Sequence, residues 1–196
     1  HFDEVRGHSP IGVTIPGVVT DGVVRSAANI DRSWIDYDVQ ALLERELDHP
    51  VHAVNDADAA GVAELEDGAA DHQKGLVILT TLGTGIGTAL MYNGVLIPNS
   101  ELGHLEVDGH DAESRAAASV QEREQLSWED WAQRLQRYYS LLENLLWPDL
   151  FVVGGGVSSD AEHFLPLLRL RTPIIPASLK NKAGIIGAAH LAKAHA

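Results

Sequence analysis

Two apolar runs, residues 75–81 and 86–92, flank a turn in which Gly83, Gly85 and Gly87 occupy three of five positions. Aliphatic and β-branched residues at that density read as buried strands. The chain must therefore reverse through a tight glycine turn, and Asn93-Gly94 signals a second hairpin into Val95. Residues 11–15 (Ile-Gly-Val-Thr-Ile) read as another strand ending at Pro16-Gly17. Asp21-Gly22 marks a hairpin turn before Val23 and Val24, and residues 50–54 form a short strand ahead of helix formers at 57–66. Ser127 is an N-cap with Asp130 at the capping-box position. Trp128, Trp131, Leu135, Tyr138, Leu142 and Leu145 follow at steps of three and four, a core-facing stripe that Pro148 ends. Residues 150–153 are a strand entering Gly154-Gly155-Gly156, with a helix expected from Asp160 and an Ala-rich helix over 184–195. Strands alternating with helices make this an α/β chain.

Composition narrows the function. With 14 Lys+Arg against 28 Asp+Glu in 196 residues, the net charge is −14, a poor balance for a nucleic-acid binder. There is no cysteine, which removes disulfides, thiol nucleophiles and Cys-ligated zinc. No apolar stretch reaches the roughly 18 residues of a membrane span, so the expectation is a cytoplasmic protein. The chain opens on His1-Phe2-Asp3-Glu4 with no initiator Met and no signal pattern, as though it began inside a domain. Beyond residue 163 there are five basic residues and no acid, a pointer toward an anionic ligand or a solvated helix end.

Four segments carry possible chemistry. The turn over 80–87 has the open backbone that cradles an anion, though a plain hairpin bulge has the same composition, and no Gly-Lys-Ser/Thr follows as in a Walker A loop. Gly154-Gly155-Gly156 stands between strand and helix, as nucleotide-contacting turns do, or serves only where side chains would clash. Asn55-Asp56-Ala57-Asp58 sits where a strand meets a helix. There, either Asp serves as an N-cap, or Asn55 binds a substrate hydroxyl while Asp56 accepts its proton. Glu101-Leu-Gly-His104 is followed by Glu106, Asp108, His110, Asp111 and Glu113, which read as polyol ligands or a solvated acidic loop rather than a zinc site.

In this order the segments resemble the ROK family of sugar kinases: Pro16-Gly17, Asn55-Asp56, residues 82–87, Glu101 to His104, and Gly154 to Gly156. Within it the chain looks most like the actinobacterial polyphosphate glucokinases, through residues 12–17, Ala28-Asn29-Ile30-Asp31 with Trp34, 102–107 and 168–173, and through the lack of a Cys-rich motif. It departs from the family in having no Asp-x-Gly-Gly-Thr phosphate loop; the resemblance implies that roughly the first quarter of such an enzyme is missing, and the 196-residue chain alone is expected to associate and not turn over. The resemblance implies an actin-like (ribonuclease H-like) α/β fold of two lobes. Residues 1–54 would be what remains of the small lobe, 55–182 the large one, and 183–196 would pack back on the small lobe.

The resemblance further implies phosphoryl transfer to the 6-hydroxyl of glucose from polyphosphate or ATP with Mg²⁺. Asp56 would be the base. Gly17, Asn55, Glu101, His104 and Glu113 would bind the sugar. Thr81, Gly83, Thr84, Gly85, Gly87, Gly155 and Gly156 would hold the donor. Arg169, Arg171, Lys180 and Lys182 are expected to line a basic track for polyphosphate, Arg being favoured for bidentate phosphate contacts. No resident metal is expected; the expected state is a homodimer without nucleic-acid or membrane partners. The alternatives are a strictly ATP-dependent hexose kinase of the same family, for glucose or mannose, and a sugar-sensing ROK repressor without its DNA-binding module.

Overall fold

A computed structural model describes residues 9–28 and 30–195. The opening His1 to Glu4 and Asn29 of the segment after Ala28 lie outside the described residues. The chain begins with β1 (Ile11–Ile15), then β2 (Val19–Thr20) and β3 (Val23–Val24), turned by Asp21 and Gly22 at φ 50° and 77°. After α1 (Val39–Leu47), β4 (Val51–Asn55) pairs in parallel with β1, Ile15 opposite Asn55. Directly from β4 runs α2 (Asp56–Glu66), of whose eleven residues eight are buried.

The second sheet starts with β5 (Leu76–Leu82), β6 (Ile86–Tyr92) and β7 (Val95–Ile97), the consecutive antiparallel hairpins that the glycine turns predict. A small hairpin of β8 (Glu106–Val107) and β9 (His110–Asp111) leads to α3 (Glu113–Ala116), α4 (Ala118–Glu124) and α5 (Trp128–Leu146). The chain then adds β10 (Leu150–Gly154), α6 (Ala161–Phe164), β11 (Ile174–Pro176) and α7 (Ala183–Ala194). The sheet order is β11-β10-β5-β6-β7, with β11, β10 and β5 parallel.

The period-two alternation of a strand divides β5 between two cores. Ile78 and Leu82 join Trp131, Leu135, Tyr139 and Leu142 of α5, and Thr80 from the same face meets the Tyr139 hydroxyl at 2.6 Å. Val77 and Leu79 face the other way, onto Ala60, Ala63 and Leu65 of α2. Full burial of each large α5 side chain contributes about 1.5–3 kcal/mol. α7 crosses α2 closely because Gly187 leaves room: a Cβ there would collide with the Ala59 carbonyl. In this way α2 lies between the two sheets, its N-terminus at the end of β4.

Three local expectations are corrected. Leu145 is 59% exposed, whereas Tyr139, outside the expected stripe, is fully buried. Each step of three falls about 60° short of a full turn, so the stripe drifts off the core. The helix expected from Asp160 is a 3-10 turn, the four-residue α6 and another 3-10 turn, broken at Pro166, whose ring cannot sit inside a continuing helix. Ser127 caps α5 through Asp130 N–H, but the Asp130 carboxylate accepts the Ser127 hydroxyl. A side chain one methylene shorter than Glu replaces the reciprocal bond of a capping box.

Candidate active site

The cavity where β1, β4 and β5 end and β6 begins has a volume of about 340 Å³. Asp56, Asn55 and Gly17 line it, together with Glu101, His104 and Glu113. So do Thr81, Gly83, Thr84, Gly85 and Gly87 of the β5–β6 hairpin, and Gly155. Segments nearly 140 residues apart meet here because β1, β5 and β10 all deliver their C-terminal ends to the same place, as in open parallel sheets generally.

Asn55, not an Asp, caps α2. Its Oδ1 accepts Ala57 N–H at 2.8 Å and Asp58 N–H at 3.0 Å, and its Nδ2 donates to the Gly17 carbonyl at 3.0 Å. Gly17 therefore holds Asn55, while its own N–H is bonded to the Ile15 carbonyl. That leaves one Asn55 N–H for a ligand. Asp56 follows as the first helical residue, exposed at the cavity wall. The protein mass around it raises its carboxyl above the usual range, against a bond from Ala57 N–H.

Glu101 precedes a 3-10 turn that His104 ends, with His104 Nε2 3.6 Å from Glu101 Oε2 and Nδ1 2.9 Å from Asp111 Oδ2. The Asp111 bond raises the imidazole, and the carboxylates of Glu113, Asp111 and Glu101 add to it. Burial raises Glu101, opposed by His104 and reinforced by Glu113 and Asp56. Glu113 opens α3 and accepts Ile86 N–H at 2.9 Å, fixing the start of β6. The acidic segment is not a free loop: Asp108 and Gly109 turn β8 into β9, and Asp108 pairs with both Nε and Nη2 of Arg137 on α5.

In the glycine turn, Gly83 N–H is taken by the Gly85 carbonyl, and Ser119 secures the loop by donating to the carbonyls of Gly83 and Thr84. The N–H groups of Thr84 and Gly85 have no acceptor among the described residues. Two unpaired amides at a cavity wall are suited to phosphate oxygens. Gly155 has φ +86°, and a Cβ on it would collide with the Leu82 backbone, so its composition serves close packing of β10 on β5. Gly156 has open space around it and does not line the cavity.

The expected basic track is divided. Arg171 binds Glu143 (Nε to Oε2 3.3 Å) and Asn144, with its guanidinium 4.1 Å over the Trp147 ring. Arg169 is held at its backbone by Gln136 of α5. Both are off the cavity, drawn to α5 by a buried acid and by amide pairing that no local pattern encodes. Lys180 and Lys182 lie in the turn Lys180–Lys182, which packs against the turn Gly156–Asp160 after the glycines.

Sequence reasoning misses Ser119, which carries no motif, and offers Asp58 only as a candidate N-cap, a place that Asn55 fills. Ser26 and Ala28 also line the cavity.

A ROK family model matches residues 2–116. The polyphosphate glucokinase of Mycobacterium tuberculosis strain H37Rv is 54% identical over 181 residues, covering 92% of this chain and 68% of that protein. That of Mycobacterium leprae is 52% identical over 182 residues, 92% of this chain and 56% of that one. The inorganic polyphosphate/ATP-glucomannokinase of Arthrobacter sp. strain KM superposes with a TM-score of 0.93 at 55% identity, covering 96% of this chain and 75% of the other. A ROK glucokinase from Streptomyces griseus, at TM-score 0.82 and 23% identity over 98% of this chain and 84% of its own, shares the fold. That fold is the actin-like α/β architecture of the ROK sugar kinases. With the family's motifs gathered at one cavity and its model matching more than half of the residues, this chain belongs to the ROK family.

Proposed function

We propose that the protein is a glucokinase that transfers a phosphoryl group from inorganic polyphosphate or ATP to the 6-hydroxyl of glucose. The observation that carries this reading is the meeting in one cavity of a carboxylate open to a substrate proton, polar side chains suited to sugar hydroxyls, and unpaired amides suited to phosphate. The mycobacterial and Arthrobacter proteins, at 52–55% identity, support polyphosphate as a donor.

Glu101, His104, Glu113 and the spare Asn55 N–H would orient the sugar. Asp56 accepts the 6-hydroxyl proton as that oxygen bonds to phosphorus. The bond from phosphorus to the bridging oxygen breaks, and its electron pair leaves with ADP or the shortened polyphosphate. A carboxyl raised by the protein mass around it is a stronger base than one surrounded by water. Thr84 and Gly85 amides act on the transferring group, where preorganised donors stabilise developing charge. Lys180 and Lys182, beside the Gly156 turn, supply the positive charge for a long donor. The described residues hold no group of three His, Asp or Glu that could cage a metal. Mg²⁺ brought in with the donor would neutralise charge on the transferring phosphates. The 55% likeness to a glucomannokinase favours mannose as a second acceptor. A cytoplasmic homodimer belongs to the same reading; among the described residues no helix is long and apolar enough to cross a membrane.

The test is formation of glucose 6-phosphate by the full-length protein with each donor. Replacing Lys180 and Lys182 by Gln should raise KM for long polyphosphate more than for ATP and flatten its salt dependence, while Arg169→Gln leaves both unchanged. No product from either donor refutes the reading.

A further inference from the structure

Asp58 stands two residues beyond Asp56 in the first turn of α2 and is 2% exposed. Its Oδ2 accepts Asn99 N–H at 2.7 Å, and its Oδ1 is buried with no partner. Asn99 in turn clamps Val19 twice: its Oδ1 accepts Val19 N–H at 3.0 Å and its Nδ2 donates to the Val19 carbonyl at 2.8 Å. Asp58 thus joins three pieces of the site: the helix that carries Asp56, the segment that leads into Glu101, and the strand that follows Gly17. An amide oxygen could accept the same Asn99 bond. A buried carboxyl with one orphaned oxygen is a costly way to hold a loop, because burying a charge is far more expensive than burying an amide.

The groups facing Asp58 are mostly acids. Glu101 approaches from the Asn99 segment and Asp56 from its own helix. Asp21 and Glu44 line the cavity on its other side, with His52 from β4 and His195 from the end of α7. β7 presents Leu96, and the His190–Asp67 pair lies at the far end of α2. No Lys or Arg of the described residues lines either cavity.

We propose that Asp58 is a positioning residue of the reaction, which holds the Asp56 helix, the Glu101 segment and the Val19 strand in register and whose ionisation sets the basicity of Asp56. Burial pushes the Asp58 carboxyl up to about 7, against the Asn99 bond and aided by repulsion from Glu101 and Asp56. The Asp56 carboxyl is already raised by burial, and by Coulomb's law a charge on Asp58, in the same first turn of α2, repels it in return. An ionised Asp58 makes Asp56 hold a proton more tightly and so act as a stronger base, and the two carboxyls titrate as a coupled pair. The inference rests on Asp56 being the base.

The experiment is the pH dependence of kcat for glucose phosphorylation by the full-length protein and its Asp58→Asn variant. The parent should show an inflection near pH 7. The variant should lose that inflection, fall severalfold behind above it, and keep KM for glucose within about twofold. Superimposable profiles, or a loss by the same factor at every pH as a purely structural role would give, overturn the proposal. A ¹³C-carboxyl titration of Asp-labelled parent protein is independent of turnover and of the variant's folding; absence of any Asp titrating near neutral pH overturns it as well. Asp56→Asn with undiminished kcat would instead refute the assignment of the base, whatever Asp58 does.

Discussion

Replacing Asp58 by Asn should change the slope of stability against pH more than stability in acid. In the folded protein its carboxyl lies at about 7 against an ordinary 3.8. The folded state therefore binds more protons than the unfolded chain between those values, and stability falls as pH rises through that window. Below pH 4 both states are protonated and nothing is lost; above pH 7 both are ionised and the loss is complete. About three units at 1.36 kcal/mol each come to about 4 kcal/mol. The side chain is 2% exposed, so solvent screening does not reduce the figure much. In the variant, as in the protonated parent, one buried polar atom of the side chain lacks a partner, and the two curves should start close together near pH 4. Asp56, Glu101 and His104 titrate in both proteins, so the difference isolates Asp58 and its coupling to them. Urea unfolding at intervals from pH 4 to 8, with m-values checked for constancy, measures it. The variant should become the more stable protein as the pH approaches neutrality. Parallel curves, differing by a constant offset, would refute the reasoning.

Asp56→Asn should lower kcat by about 10²-fold or more, the low end of what base catalysis contributes, with little change in glucose affinity by calorimetry. Glu101→Gln or His104→Ala should weaken glucose binding by about 1–3 kcal/mol in the same titration, the cost of leaving a partner unpaired, and move donor KM less. Gly155→Ala should lower Tm sharply, because φ +86° costs about 1–3 kcal/mol for a side chain and a Cβ would strike Leu82. Gly156→Ala, in open space, should leave Tm nearly unchanged.

Where local pattern governs, the chain could be read directly. β1, β4, β5 and β6, the Asn93-Gly94 hairpin, α5 with its Ser127 cap, and α7 are set by side-chain period and turn chemistry, which act over a few residues. The motif segments that marked the family are likewise short; all sit at a strand end except Glu101 to His104, which forms a 3-10 turn. Other features were decided by partners remote in sequence. Asn55 became the cap of α2 while binding Gly17, 38 residues earlier. Arg171 left the expected phosphate track for Glu143, 28 residues away. Leu145 turned outward at the end of a helix whose neighbours sequence does not specify. Asp58 is the sharpest case: in sequence it is one more acid in a helical turn. Its pKa and its orphaned oxygen depend on Asn99, 41 residues on, and on burial between two sheets. Hydrogen-bond propensity and turn geometry are properties of neighbouring residues. Desolvation belongs to whatever the fold brings around a group, and only the tertiary structure decides it.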